Sequence, residues 1–291
     1  MIMTESALAG VLQEGEIIQF VDIKDRRYSV TLESGKEFHS HAGLIKHDDV
    51  IGRAEGRYLK STRGGSYLVI RPTLAELILK MPRGAQVIYP KDLGPLLMIA
   101  DIFPGARVFE SGVGSGALSM TMLRAGAHIT GYELREDFAQ RAQKNVSEIL
   151  GPDVLDRYDV QLRNAYDGID EKAFDRVVLD LPEPWQVIPH AAEAMRTGGV
   201  FVAYTPSVMQ VSKVRETLKM NGFGMAETTE FLQRGWHVEG QAVRPDHRMV
   251  GHTGFLTSAR LLEGTPPPSR SEKVAKAIVA KAREDAAPTP R

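Results

Sequence analysis

The chain has 291 residues, 43% apolar and 25% charged, and a formal net charge of −1, the composition of a globular protein with one large or two medium cores. That balance excludes a uniformly basic nucleic-acid binder, so any contact with a polyanion has to come from a local patch. The absence of cysteine excludes disulfides, thiolate zinc sites and a thiol nucleophile.

The first residues, MIMTESALAGVLQEGEII, lack a basic segment followed by an apolar one, and no apolar run reaches the ~18 residues of a membrane span. A cytoplasmic location is expected. Between residues 15 and 70, short apolar or aromatic runs (EIIQFVDI, YSVTLE, EFHSHAGLI, GGSYLVIR) alternate with turn residues. This period-2 pattern predicts a small antiparallel sheet or barrel. Residues 72–104 hold two helix-like apolar segments around MPRG. Asp92 is the expected cap of the second, with Gly94 and Pro95 in its first turn.

From residue 106 strands and helices alternate, the pattern of a parallel sheet covered on both faces. The expected strands are ARVFE, HITGYE, YDVQLRN, FDRVVLDL and GGVFVAYTP. The helix after HITGYE carries Phe138, Ala142, Val146 and Ile149 on one stripe. FGMAETTEFL and GHTGFLTSARLL are two further strands joined by a long insertion instead of a helix, which predicts antiparallel pairing. Residues 265–291 shift to proline, alanine and lysine, as in a linker and a mobile or weakly helical tail. The expected organisation is a small β-domain over 1–71, an α/β domain with linking helices over 72–264, and the tail over 265–291.

The segment RVFESGVGSGALSMT, residues 107–121, joins a strand to a helix through a glycine turn, an arrangement that offers free N–H groups and a helix dipole to a polar cofactor. Gly112, Gly114 and Gly116 follow G-x-G-x-G instead of the G-x-G-x-x-G of a dinucleotide site. Glu110 at the turn's entrance suits a cofactor with a positive amino group and repels a pyrophosphate. Glu133, at the end of the second strand, is placed to accept two ribose hydroxyls. Together these features favour S-adenosyl-L-methionine over NAD. Asn164 and Ala165, at the end of the third strand, are the expected adenine contacts.

VVLDLPEPW, residues 177–185, ends the fourth strand on Asp180 and leaves it through two stiffening prolines and Trp185. Asp180 belongs beside the glycine turn, because ligands bind at the carboxyl ends of such strands. A carboxylate acceptor, a rigid exit and a flat aromatic surface are what a flipped-out aminopurine needs. Adenine N1 has an in-plane lone pair and needs only alignment with the methyl group. Its methylation makes the ring cationic, and a carboxylate accepting from the adjacent amino group stabilises that charge. Tyr89 and Tyr204 are candidate walls of the same pocket.

In the insertion, residues 231–252, Arg234, Trp236, His237, Arg244, His247, Arg248 and His252 interleave cations with an aromatic ring, which fits phosphate contact and base stacking. Lys60, Arg63 and Lys91 are candidates to extend a basic surface near the cleft. His39 and His41 share one strand face and His47 follows, but with no cysteine and no histidine–carboxylate cluster no metal is expected.

MPRGAQVIYPKD, FPGARVFESGVGSGALS, VVLDLPEPW and LQRGWHVEGQAVRPDHRMVGHTGFL together resemble the tRNA (adenine-N1)-methyltransferases that modify the T-loop adenine conventionally numbered 58, especially the actinobacterial form. The likeness runs to about residue 262. It implies a class I S-adenosylmethionine-dependent methyltransferase fold, Rossmann-like with a seven-stranded sheet, a small N-terminal β-domain and a homotetramer acting on tRNA. It also places cofactor contacts on Ile88, Ser115, Gly116, Ala117, Glu133, Phe138, Asn164 and Ala165, and the catalytic acid on Asp180. Many relatives carry aspartate at the position of Asn164, whose amide oxygen can still accept. The position of Phe138 is polar or basic in some relatives, so here the ring is expected to stack.

Two other readings compete. DLPEPW also resembles the Asp-Pro-Pro-aromatic motif of adenine-N6 methyltransferases, although Leu181 and Glu183 interrupt its prolines. A non-catalytic tRNA-binding subunit is the third, and intact Glu110, Gly112, Gly114, Gly116, Glu133 and Asp180 argue against it.

Overall fold

The structure, a computed structural model, describes residues 10–84 and 86–264; the tail expected over 265–291 lies outside them. The period-2 segments fold as β1 (Ile17–Asp22), β2 (Arg27–Thr31), β3 (Glu37–Ser40), β4 (Gly43–Lys46), β5 (Arg57–Lys60) and β6 (Ser66–Ile70). Strands β2, β1, β6 and β5 form an antiparallel sheet in that order, and β3 with β4 a separate hairpin. EFHSHAGLI, read from sequence as one run, is thus two strands. Gly43 takes a φ of 104° at the turn, and Ser40 Oγ donates to its carbonyl at 2.8 Å. The hairpin brings Phe38 onto Phe20, stacked at 4.3 Å, with Tyr67 edge-on to both rings. Arg71 ties the chain's exit back to this unit through Glu16 (2.8 Å), Glu55 (2.7 Å) and the Val11 carbonyl (2.8 Å).

Thr73 and Glu76 form a reciprocal cap that starts α1 (Leu74–Lys80). The next helix, α2 (Pro90–Ile99), starts at Pro90 with Tyr89 in the cap position. Asp92 is therefore not the cap expected from sequence. Proline at the first helical position fixes the start three residues earlier, and this leaves Asp92 inside the first turn, 1% exposed. A carboxylate so buried needs charged or hydroxyl partners; Lys91 Nζ (2.8 Å) and Thr253 Oγ1 (2.7 Å) supply them.

The alternating segment folds as β7 (Arg107–Ser111), α3 (Ala117–Arg124), β8 (His128–Glu133), α4 (Glu136–Leu150), β9 (Tyr158–Leu162), β10 (Phe174–Leu179), α5 (Ile188–Ala194), β11 (Met195–Thr205), α6 (Val208–Met220), β12 (Phe223–Glu230), β13 (Trp236–Glu239), β14 (Ala242–Pro245) and β15 (Phe255–Leu261). Seven strands form one sheet in the order β12-β15-β11-β10-β7-β8-β9. All are parallel except β15, which runs against both of its neighbours.

Successive residues of each central strand face opposite sides. Val108, Val178, Val200 and Val202 join the core under α2, α3 and α4, whereas Phe109, Val177, Leu179, Phe201 and Ala203 join the core under α5 and α6. The strand order reverses between β7 and β10, the position at which open α/β sheets form their ligand crevice, outside the carboxyl ends of the strands. The insertion after β12 is partly ordered as the two-stranded hairpin β13–β14. Among the described residues no helix is long and apolar enough to cross a membrane.

Candidate active site

The glycine turn lies at that reversal. Gly112, Gly114 and Gly116 have φ of 86°, 57° and 85°, values that side chains resist. Two of the three glycines also face close neighbours. A Cβ on Gly112 would stand 1.9 Å from the Asp180 carbonyl oxygen, and one on Gly116 would stand 3.3 Å from the Ala142 backbone of α4. Asn145 of α4 pins the turn from behind, donating to the carbonyls of Ser115 (2.9 Å) and Pro82 (3.1 Å). Helix α3 then begins at Ala117 with no side-chain cap, which leaves first-turn N–H groups facing the turn for a ligand.

Three carboxyl groups surround this turn. Glu110, fully buried, accepts from Ser119 Oγ at 3.0 Å through Oε1, and its Oε2 has no partner among the described residues. Burial pushes its carboxyl up to about 8; the Ser119 hydrogen bond opposes the shift and the Asp180 and Glu133 carboxylates add to it. Glu133 accepts from the N–H groups of Gly114 and Arg135, both at 3.0 Å. Asp180 is anchored by its N–H to the Ser111 carbonyl (2.9 Å), and burial pushes its carboxyl up to about 7.

Beyond Asp180 the crevice is aromatic. The Tyr204 hydroxyl, at the end of β11, is pushed up to about 12, chiefly by burial, with Asp92, Asp180 and Tyr89 adding and a Thr253 hydrogen bond opposing. Gly254 lies flat on the Tyr204 ring, where a Cβ would stand 2.4 Å from Cζ. Lys91 Nζ also donates to the Phe231 carbonyl (2.7 Å), so α2 is stitched to the segments after β12 and before β15. Trp185 carries the Lys213 ammonium 4.5 Å above its ring, and Gln210 holds the exit by donating to the Pro182 carbonyl (2.8 Å).

Other expected residues are placed less directly. Ile88, Ala117 and Ala165 are buried. Asn164 Oδ1 accepts from the Tyr166 N–H (3.1 Å) and closes a local turn. Ser115 is buried with its Oγ unpartnered among the described residues. The Phe138 ring is covered by protein: the Arg135 guanidinium lies 3.9 Å from its centre. Lys91, expected on a basic surface, is instead spent on Asp92, because the ion pair is buried. Lys60 and Arg63 are exposed at the edge of the N-terminal sheet.

In the hairpin, the register puts Trp236, Val238, Val243 and Pro245 on one face and His237 and Arg244 on the other. Trp236 and Arg244 are thus not interleaved on one surface, as their order in sequence suggested. Arg234 and Arg248 are exposed on the flanking segments. His252 stands apart, bridging Glu230 (2.6 Å) and the Pro206 carbonyl (2.7 Å). Among the described residues no histidine, aspartate and glutamate group is arranged to hold a metal. His47 Nδ1 accepts the Glu33 N–H (3.1 Å).

Sequence reasoning missed three features. Leu134, directly after Glu133, is 71% exposed at the carboxyl end of β8; an apolar residue next to a strand-ending acid was its only signal. The Lys91–Asp92–Thr253 cluster joins residues about 160 positions apart, and no local pattern reveals it. Ser119 and Tyr158 read as ordinary helix and strand positions, although both hydroxyls sit behind Glu110.

Residues 65–244 match the family model of the tRNA methyltransferase complex GCD14 subunit, and residues 10–58 match the TrmI-like N-terminal model. The tRNA (adenine(57)-N(1)/adenine(58)-N(1))-methyltransferase TrmI of Methanocaldococcus jannaschii is 34% identical over 268 residues, covering 83% of this chain and 93% of its own. The tRNA (adenine(58)-N(1))-methyltransferase TrmI of Thermus thermophilus is 34% identical over 242 residues, covering 82% and 94%. Among solved structures, the tRNA (m1A58) methyltransferase TrmI of Aquifex aeolicus superposes with a TM-score of 0.75 at 28% identity, over 87% of this chain and 100% of that one. A SAM-dependent O-methyltransferase of Thermotoga maritima superposes with a TM-score of 0.82 at 30% identity, over 89% and 98%. These likenesses span the N-terminal sheet, the glycine turn and the Asp180 strand together, and the chain belongs to the tRNA methyltransferase complex GCD14 subunit family.

Proposed function

We propose that this protein transfers the methyl group of S-adenosyl-L-methionine to N1 of adenine 58 in the T-loop of tRNA, giving 1-methyladenosine, the activity named for its TrmI relatives. The observation that carries the reading is the close approach of Gly112 in the glycine turn to the Asp180 backbone, with Asp180 and Tyr89 both acting on the Tyr204 hydroxyl. The residues present fit the donor: Glu110 Oε2 and Ser115 Oγ are buried polar atoms without partners among the described residues, and the glycines leave a cradle that side chains would fill. When bound, the donor supplies an electrophilic methyl on a sulfonium, which passes to the N1 lone pair as the carbon–sulfur bond breaks and S-adenosylhomocysteine leaves.

In this reading the backbone of Gly112, Gly114, Ser115, Gly116 and Ala117 cradles the donor, and Glu110 accepts from its ammonium group. Glu133 keeps free lone pairs beside its two backbone contacts and accepts from the ribose hydroxyls. Ile88, Leu134, Asn164 and Ala165 bound the adenine end, and Phe138 supports the turn from the α4 side. Asp180 accepts a hydrogen bond from the amino group of the target base and offsets the positive charge that grows on its ring. Tyr89, Tyr204 and Trp185 confine the base.

The tRNA backbone meets Arg234, Arg244 and Arg248. The opposite hairpin face, with Trp236 56% exposed beside Val238 and Val243, is an apolar surface that a second copy covers in a homotetramer. A small β-domain over 1–71 and a catalytic domain over 72–264 are supported by the separate matches at 10–58 and 65–244. The enzyme works on tRNA in the cytoplasm.

The test is incubation with labelled donor and unmodified tRNA, followed by nucleoside mapping. Label in 1-methyladenosine at position 58 is expected. Label in N6-methyladenosine, or none with intact protein, overturns the reading.

A further inference from the structure

Behind the glycine turn, a file of hydroxyl groups ends on the buried acid. Tyr158, the first residue of β9, is 5% exposed, and its hydroxyl donates to Ser119 Oγ at 2.9 Å. Ser119, in the first turn of α3 and fully buried, donates in turn to Glu110 Oε1 at 3.0 Å. A hydroxyl has one hydrogen to give. If Ser119 donated to Tyr158 instead, Glu110 Oε1 would lose this donor inside a fully buried site, so the file runs one way, from Tyr158 through Ser119 to Glu110. Two elements, β9 and α3, thereby converge on one carboxyl group of β7.

We infer that Ser119 and Tyr158 are positioning residues for the amino group of the methyl donor: they hold Oε1 of Glu110 and leave Oε2 as the acceptor that an ammonium group meets. The inference rests on the proposed reading of the crevice as a methyl-donor site. Glu110 Oε2 is buried with no partner among the described residues, which is costly unless a ligand group completes it. The groups acting on Glu110 from the surrounding elements are Ser119 of α3, Tyr158 of β9, Glu133 of β8 and Asp180 after β10. The two other carboxylates oppose its ionisation, and Ser119 is the neighbour that favours it. Without the file, Glu110 more readily keeps its own proton, and a protonated carboxyl on Oε2 meets an ammonium as one donor facing another.

The experiment measures dissociation constants of wild type, Ser119→Ala and Tyr158→Phe for S-adenosylmethionine and for methylthioadenosine, which keeps the nucleoside and lacks the amino acid. Loss of a hydrogen bond that supports a charge should weaken S-adenosylmethionine binding about tenfold in Ser119→Ala, with a smaller loss in Tyr158→Phe, and leave methylthioadenosine within about twofold. Equal losses for both ligands, or none for S-adenosylmethionine, overturn the inference. Tyr158→Phe removes one oxygen, keeps the ring and carries the test by itself should Ser119→Ala not fold. Wild-type protein that binds neither ligand removes the donor reading itself; wild-type binding with unchanged selectivity in the variants removes only this inference.

Discussion

The backbone of Gly112 is pressed against the carbonyl of Asp180, leaving 1.9 Å where a Cβ would need more than 3 Å. The separation between the glycine turn and the Asp180 backbone is therefore set by main chain on β7 and β10, which pair in register up to Ser111 and Leu179.

Gly112→Ala tests that constraint. The substitution adds overpacking against Asp180 to a left-handed backbone conformation, and is expected to cost about 3 kcal/mol or more. Denaturant titration reads the stability loss. A variant with wild-type stability and donor affinity contradicts the close approach.

Asp180→Ala should leave donor affinity within about threefold and lower kcat by about 10²–10³-fold, the range for loss of one preorganised group that stabilises charge. Single-turnover methyl transfer to tRNA measures it. Unchanged turnover takes Asp180 out of the mechanism.

The same carboxyl makes stability depend on pH. Glu110 and Asp180 are raised to about 8 and about 7 from ordinary carboxyl values of 4.5 and 3.8, so between those limits the folded state holds protons that the unfolded chain has released. Their contribution to stability is fully present below the unfolded values and is lost as pH rises through about 7 to 8. Urea unfolding of the ligand-free protein should show a downward component from pH 6 to 8.5, flattened in Glu110→Gln and Asp180→Asn. An equal slope in wild type and both variants refutes the assignment.

Asp92→Ala should strip Lys91 of its counter-ion, leaving only the Phe231 carbonyl, in a site where the lysine side chain is only 7% exposed. Breaking a buried pair on one side costs about 3–5 kcal/mol, and Thr253 loses its acceptor as well. Thermal unfolding reads the loss, and replacing both Lys91 and Asp92 with apolar residues should recover part of it. A fully stable Asp92→Ala shows that the pair is not formed.

Arg244→Gln combined with Arg248→Gln should raise the KM for tRNA several-fold and lower the salt dependence of binding by about 1–2 in logarithmic slope. The kcat at saturating tRNA should hold. An unaltered salt slope assigns the phosphate contacts elsewhere.

What the sequence determined by itself were local matters. Alternation of apolar residues predicted the N-terminal strands, and the strand–helix alternation predicted the parallel sheet, because backbone period and burial are coupled within a few residues. Gly112, Gly114 and Gly116 were legible for the same reason: their positive φ angles are a property of the turn itself. Only the tertiary structure decided which polar side chains meet. Asp92 reads as a helix cap until Pro90 takes over the helix start and Thr253 arrives from the far end of the chain. Trp236 and Arg244 read as neighbours until strand register puts them on opposite faces. Ser119 and Tyr158 carry no signal at all before α3 and β9 fold onto Glu110. Such pairings depend on the order and register of strands, which local propensity does not encode.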